Sequence, residues 1–159
     1  MSSRDINNSL AELQARYVED VKIIGEEAQT ALLVEPHRLL DILEFLKTNE
    51  LYQCNMLRNL TAVDYLEYIE VVYHLYSLPL RQAITVKTRC DMEDSQIPSA
   101  TVIWPSANFQ EREIYDLLGV RFTGHPDLRR ILLRDEFDGH PLRKTYNTGN
   151  AGEGGKSSC

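Results

Sequence analysis

Cysteine is scarce in this chain. Among 159 residues there are three, Cys54, Cys90 and Cys159. No two form a CxxC pair, and none stands beside a histidine at ligand spacing. Scattered thiols cannot hold an iron–sulfur cluster, which takes about four thiolates. The odd number, with no apolar core in residues 1–20, argues against a secreted disulfide framework and fits a reducing cytoplasm. Cys54 and Cys90 are expected as small core or strand residues.

Long apolar runs are also missing. None approaches the ~20 residues that cross a bilayer, so direct membrane insertion is not expected; work at a membrane would require another protein to hold the chain there. Positive charge is in deficit. Lys and Arg number 17 against 24 Asp and Glu, for a net charge of −7 and a pI near 5.1. That balance argues against chain-wide attraction to nucleic acid or anionic lipid and leaves room only for a local basic patch. A P-loop is absent too. Gly155-Lys156-Ser157 has its ending, but Asn150 stands where the first glycine belongs, and the chain ends two residues later.

What remains is ordinary globular material, 43% hydrophobic and 26% charged. The length suits one domain that buries roughly 70% of its unfolded surface. Residues 1–146 read as that domain, and 147–159 as a flexible Gly/Ser-rich tail.

The pattern predicts an α+β fold. A helix is expected over 3–16, capped by Ser3 or Asp5, with Ile6, Leu10 and Leu13 as its stripe. Val18–Ile24 and Thr30–Val34 read as a hairpin around a Gly25-Glu26-Glu27 turn. Pro36 opens a helix through Lys47, where Leu39, Leu40, Ile42, Leu43 and Leu46 form a wide apolar face. Cys54–Val63, Tyr68–Leu78 and Ala83–Cys90 read as strands, the last two as a hairpin turning at Pro79. His74 is expected as a packed strand residue. Tyr65, Tyr68, Tyr73 and Tyr76 lack the basic complement of a nucleic-acid platform and are expected to pack on the sheet. Asp91–Gln96 reads as a loop, Ile97-Pro98-Ser99 as the opening of a helical or turn segment, and Ser99–Trp104 as able to close on the sheet around a buried Trp104. The fold is therefore an N-terminal helix, a mixed or antiparallel sheet with helices packed on it, and an extended irregular C-terminal segment.

Charge, glycine, proline and two histidines concentrate between Glu111 and Arg143. Phe109, Ile114, Leu117 and Leu118 form a helical stripe, with Glu111, Arg112, Glu113 and Asp116 in the other positions. Gly119 fits the C-cap, and Ser106 or Asn108 the N-cap. Two similar phrases follow, Gly124-His125-Pro126-Asp127-Leu128-Arg129 and Gly139-His140-Pro141-Leu142-Arg143. The carboxylates could suggest acid–base or metal chemistry. However, Glu111 and Glu113 point apart on a helix, and Glu111 and Asp116 share no tight site. Ion pairs and caps with Arg129, Arg130, Arg134, Arg143 and Lys144 are expected instead. His125 and His140, without cysteine neighbours or a nucleophile, suit turns and one backbone hydrogen bond each. No catalytic, cofactor-binding or metal-binding residue is assigned. An ordered, charged segment that catalyses nothing reads as an interface.

These residues resemble a family signature. Its pattern is Glu-Arg-Glu, two residues, an acid, two hydrophobics, six residues, His or Lys, three residues, a basic residue or Pro, one residue, and two apolars. Glu111, Arg112, Glu113, Asp116, Leu117, Leu118, His125, Arg129, Ile131 and Leu132 fill it, and Gly139–Lys144 continues the match. The pattern is that of the 30-kDa-type subunit (the C subunit) of respiratory complex I, the proton-translocating NADH:quinone oxidoreductase. Members commonly continue with Asp, an aromatic and Pro, where this chain has Thr145, Tyr146 and Asn147. The resemblance implies a cofactor-free component of the peripheral arm, held on the cytoplasmic face of the inner membrane by its complex. It implies packing on the large quinone-site subunit, of the 49-kDa type, near the small iron–sulfur subunit and the ferredoxin-like subunit. NADH, FMN, iron–sulfur clusters and quinone would belong to these and other partners. Glu111, Arg112, Glu113, Asp116, His125, Arg129, Arg130, His140, Arg143 and Lys144 would be signature or interface residues. The same domain occurs in energy-converting nickel–iron hydrogenases and in ferredoxin- or deazaflavin-linked relatives, an alternative this sequence leaves open.

Overall fold

Strong β-formers decide the centre of the molecule. In this computed structural model, β4 (Tyr68–Ser77) and β5 (Gln82–Asp91) pair antiparallel from Tyr68↔Asp91 to Ser77↔Gln82. Residues 3–26 and 29–146 are described, with side chains from residue 7 onward. The expected contributions of Ser3, Asp5 and Ile6, of Glu27, and of the 147–159 tail with its Gly155-Lys156-Ser157 lie outside them.

Alternation along β4 sets the two faces. Ile69, Val71, Tyr73 and Leu75 enter the core, while Glu70, His74 and Tyr76 point the other way. On that second face Glu70 is almost fully buried between Lys87, at 3.2 Å, and Arg89, at 3.0 Å. Of the four tyrosines, only Tyr73 enters the core. Tyr65 stays 44% exposed, and Arg89 lies over the Tyr68 ring at 4.4 Å. The sheet order is β1-β2-β5-β4-β3. β1 (Val21–Ile24) and β2 (Ala31–Val34) form the expected antiparallel hairpin, β2 runs parallel to β5, and β3 (Met56–Asp64) forms the other edge.

The three α-helices among the described residues pack on the core face. α1 (Ser3–Arg16) contributes Leu10 and Leu13. After a short 3₁₀ turn at Pro36–Arg38, α2 (Leu39–Thr48) buries Leu39, Ile42, Leu43 and Leu46 completely. Each such side chain stabilises the fold by about 1.5–3 kcal/mol. Cys54 and Cys90 lie in the same core, as expected. Burial raises their thiols to about 12 and about 11, so neither is a reactive thiolate at neutral pH.

Where a loop and the opening of a helical or turn segment are expected, residues 96–98 form a strand. β6 (Gln96–Pro98) pairs in parallel with β7 (Arg121–Thr123). Pro98 is tolerated at the end of so short a strand, where its missing N–H breaks no long ladder. Ala100–Val102 then forms a 3₁₀ turn, because the Ser99 side chain accepts from the Thr101 N–H and caps it. Trp104 is buried as expected. This turn and β7 bracket α3 (Ala107–Leu118), which ends at Gly119 in the left-handed conformation, φ +76°.

Candidate functional site

The buried face of α3 differs from the expected one. Ala107, Glu111, Ile114 and Leu118 form the inward stripe, while Phe109 is 64% exposed. Glu111 therefore takes a core position, and Asp116 is also fully buried. Neither fills a solvent face.

Asp116 organises the segment that follows the helix. Its Oδ2 accepts the backbone N–H groups of Ile131, Leu132 and Leu133, at 3.2, 2.7 and 2.8 Å. Its Oδ1 accepts Arg130 Nη1 at 2.9 Å. Burial alone would raise this carboxyl. The three N–H groups and the guanidinium together outweigh it and hold the carboxyl below its ordinary value. A carboxylate with such partners fixes an irregular backbone as firmly as a ladder would.

The arginines complete this framework mostly through carbonyls. Arg112 donates to the Arg129 and Arg130 carbonyls, and Arg130 also reaches the Gly139 carbonyl at 2.8 Å. Arg143 donates to the Leu118 carbonyl at the end of α3, to the Met92 carbonyl and to Ser95 Oγ. It thereby satisfies a helix-end acceptor where a cation is favourable. His140 donates from Nδ1 to the Asp116 carbonyl at 2.9 Å, and its ring lies over Gly119. A Cβ at Gly119 would come within 2.6 Å of that ring, so the position suits glycine for space as well as φ.

Of the ion pairs expected with the signature helix, Arg130–Asp116 forms. Arg129 pairs instead with Asp127 at the surface, Arg143 binds carbonyls and a hydroxyl, and Lys144 is held through its backbone N–H by Asp64 Oδ2. Asp64, Ser95 and Ser99 are the anchors the sequence did not single out. Their long-range partners are distant in the chain; locally, Asp64 caps a turn through the Leu66 N–H and Ser99 the 3₁₀ turn through the Thr101 N–H, and that was the signal available.

Glu111 has a different environment. Its Oε1 accepts the Ala100 N–H and its Oε2 the Ser99 hydroxyl, both at 2.7 Å. Burial raises this carboxyl to about 7, only partly opposed by those two donors. The nearest basic side chain is His125, with Nε2 4.0 Å from Oε2. His125 Nδ1 accepts the Asp127 N–H at 2.9 Å, so the neutral ring carries its proton on Nε2, which faces the Asn108 carbonyl at 3.1 Å. Both histidines thus serve turns and backbone bonds, as their Gly-His-Pro settings suggested.

Outward, the segment presents apolar side chains. Leu132 is 60% and Leu142 59% exposed, with Phe109 and Ile131 beside the same framework. A cleft of about 420 Å³ opens between the Met92–Gln96 loop, Gly119, His140 and Tyr146. Among the described residues, no three of His, Cys, Asp and Glu gather to hold a metal. Nor is any described helix long and apolar enough to cross a membrane. The polar groups of the segment are engaged in ordering its backbone.

Comparison with known proteins identifies the class. The family model described as respiratory-chain NADH dehydrogenase, 30 Kd subunit, matches residues 32–151. The C subunit of the NADH-quinone oxidoreductase of Moorella thermoacetica is 46% identical over 143 residues, covering 89% of this chain and 95% of that protein. Its counterpart in Geobacter sulfurreducens is 40% identical over 145 residues, covering 88% of each. Among solved structures, the trypsin-resistant fragment (1-134) of Nqo5 superposes with a TM-score of 0.67 at 31% identity, over 77% of this chain and 98% of the fragment. A chain from the membrane-bound sulfane sulfur reductase, an archaeal respiratory membrane complex, shares the fold with a TM-score of 0.73 at 24% identity, over 91% of this chain and 88% of its own. The chain belongs to the 30-kDa subunit family of the respiratory-chain NADH dehydrogenase.

Proposed function

We propose that this chain is a non-catalytic, cofactor-free component of the peripheral arm of a complex-I-type NADH:quinone oxidoreductase, on the cytoplasmic face of the membrane. Its C-terminal segment docks on the large quinone-site subunit, close to the small iron–sulfur and ferredoxin-like subunits. NADH, FMN, the iron–sulfur clusters and quinone are held by partners, and this chain stabilises and places the electron path coupled to proton pumping.

The observation that carries this reading is how the segment divides its groups. Asp116, Arg112, Arg130 and Arg143 turn inward to fix the backbone, while Phe109, Leu132 and Leu142 are left facing outward. A rigid surface with apolar side chains loses little entropy on docking.

The test is affinity capture of the full tagged chain from gently solubilised membranes, with mass spectrometry of what accompanies it. Recovery of a large quinone-site subunit, iron–sulfur subunits and NADH-binding subunits is expected. A nickel-bearing large subunit would move the chain to the hydrogenase branch. Recovery of the chain alone from the soluble fraction would overturn the proposal.

A further inference from the structure

His125 sits between two acceptors. Its Nε2 lies 3.1 Å from the Asn108 carbonyl and 4.0 Å from Glu111 Oε2. Its other ring nitrogen is tied to the Asp127 N–H, inside the turn that leads from β7 into the C-terminal segment. The imidazole is enclosed by protein, so it cannot exchange either partner for water. We propose that the charge on Glu111 selects the acceptor of the His125 Nε2–H and, through Nδ1, sets the position of the 124–127 turn.

The hydrogen bonds around Glu111 accommodate both charge states. When the carboxyl is ionised, the Ser99 hydroxyl donates to it, at 2.7 Å, and Ser99 Oγ accepts from Thr101, whose hydroxyl is also 2.7 Å away. When the carboxyl is protonated, its O–H donates to Ser99 Oγ, and the Ser99 hydroxyl turns to donate to Thr101 Oγ1. The Glu111 and Ser99 hydroxyl protons keep an acceptor in either state, and Thr101, only half-buried, turns its own hydroxyl away from Ser99 when it accepts, so no fully buried donor of this chain of bonds is orphaned.

Charge then decides the histidine. Beside a neutral acid, Nε2–H is better satisfied by the Asn108 carbonyl. Loss of the Glu111 proton to solvent leaves a buried anion, and a charge-assisted bond is about twice as strong as a neutral one. The ring moves toward the carboxylate and draws the Asp127 N–H with it. Few other groups compete around the acid. The 3₁₀ turn brings Ser99 and Ala100; β4 brings Tyr73, whose hydroxyl is held far above its usual range by burial, then by Glu111 and the Cys90 thiol of β5. Arg112 on α3 is engaged with the Arg129 and Arg130 carbonyls, and Lys47 of α2 with the Ile103 carbonyl at 2.7 Å.

The device rests on contacts within this chain, not on the docking reading, so its failure would leave that reading intact. The test is nuclear magnetic resonance of the labelled full chain from about pH 5.5 to about pH 8.5, a range in which a shifted carboxyl can titrate. The Glu111 carboxyl carbon, the His125 Nε2 and the Asp127 amide should move together with one midpoint. Glu111→Gln should hold the histidine and the amide at their low-pH positions throughout. A flat Asp127 amide in the native chain, a carboxyl midpoint that differs from that of the amide, or the same titration in Glu111→Gln would each overturn the proposal. The first two readings need no variant, so they decide the matter even if the substitution impairs folding.

Discussion

Glu111 and Asp116 lie little more than one turn apart on α3, both fully out of water, and the protein treats them in opposite ways. Asp116 meets three backbone N–H groups and a guanidinium. Glu111 meets one N–H and one hydroxyl. The first is lowered, and the second is raised to about 7. Burial alone therefore does not set the charge of a carboxyl; the number and kind of donors that come with it do.

The hardest way to break the comparison is to remove Asp116. Asp116→Ala would leave three N–H groups without their acceptor and the Arg130 guanidinium, itself only 13% exposed, without its counter-charge and with carbonyl partners alone. A loss of about 3–5 kcal/mol is expected in chemical denaturation, with loss of amide protection over 131–133. Gly119→Ala should cost about 1–3 kcal/mol, through its left-handed φ and the displaced His140 ring, and would show as a lower melting temperature.

Next comes pH. A lowered carboxyl gives stability that is present above its unfolded value, near 3.8, and lost as pH falls through its folded value. A raised one gives stability that is present below its unfolded value, near 4.5, and lost as pH rises through about 7. Denaturation midpoints across pH should therefore decline from about 4.5 to about 7, and Glu111→Gln should flatten that decline while leaving the acid limb from Asp116 in place. An unchanged slope in the variant would show that Glu111 is not the titrating group.

The smallest effect belongs to Arg129. Its pair with Asp127 is 68% and 57% exposed, so Arg129→Glu should change stability by well under about 1 kcal/mol while reducing recovery of the assembled complex. Equal loss of both would remove Arg129 from the docking surface. Arg143 does not share this separation. It is bound to Leu118, Met92 and Ser95 inside the chain, so its reversal should damage fold and assembly together.

Much of the fold was legible because it follows from local chemistry. Pro36 and the Leu39–Leu46 stripe announce α2, the run of β-formers announces the β4–β5 hairpin, and Gly119 announces the end of α3. The site was legible in composition but not in orientation. Phe109 has the side chain of a core residue and Glu111 that of a surface one, yet the helix places each the other way, because position on the cylinder overrides hydrophobicity. The stripe of Ala107, Ile114 and Leu118 passes through Glu111, and a carboxylate on such a line was the available clue. The β6–β7 pairing was hidden because three-residue strands carry almost no alternation. The roles of Asp64 and Ser95 depend on partners far along the chain, which no local pattern encodes.

That distance has a consequence for how the molecule is made. The Lys144 amide closes on Asp64 across 80 residues, and Arg143 on Met92 across 51. Contacts so remote require loop closure before they contribute anything. Asp64 and Met92 are synthesised well before the residues that clasp them, so these bonds wait for Arg143 and Lys144 to emerge. A chain cut short before Arg143 would therefore lack the bonds that pin the surface proposed for docking.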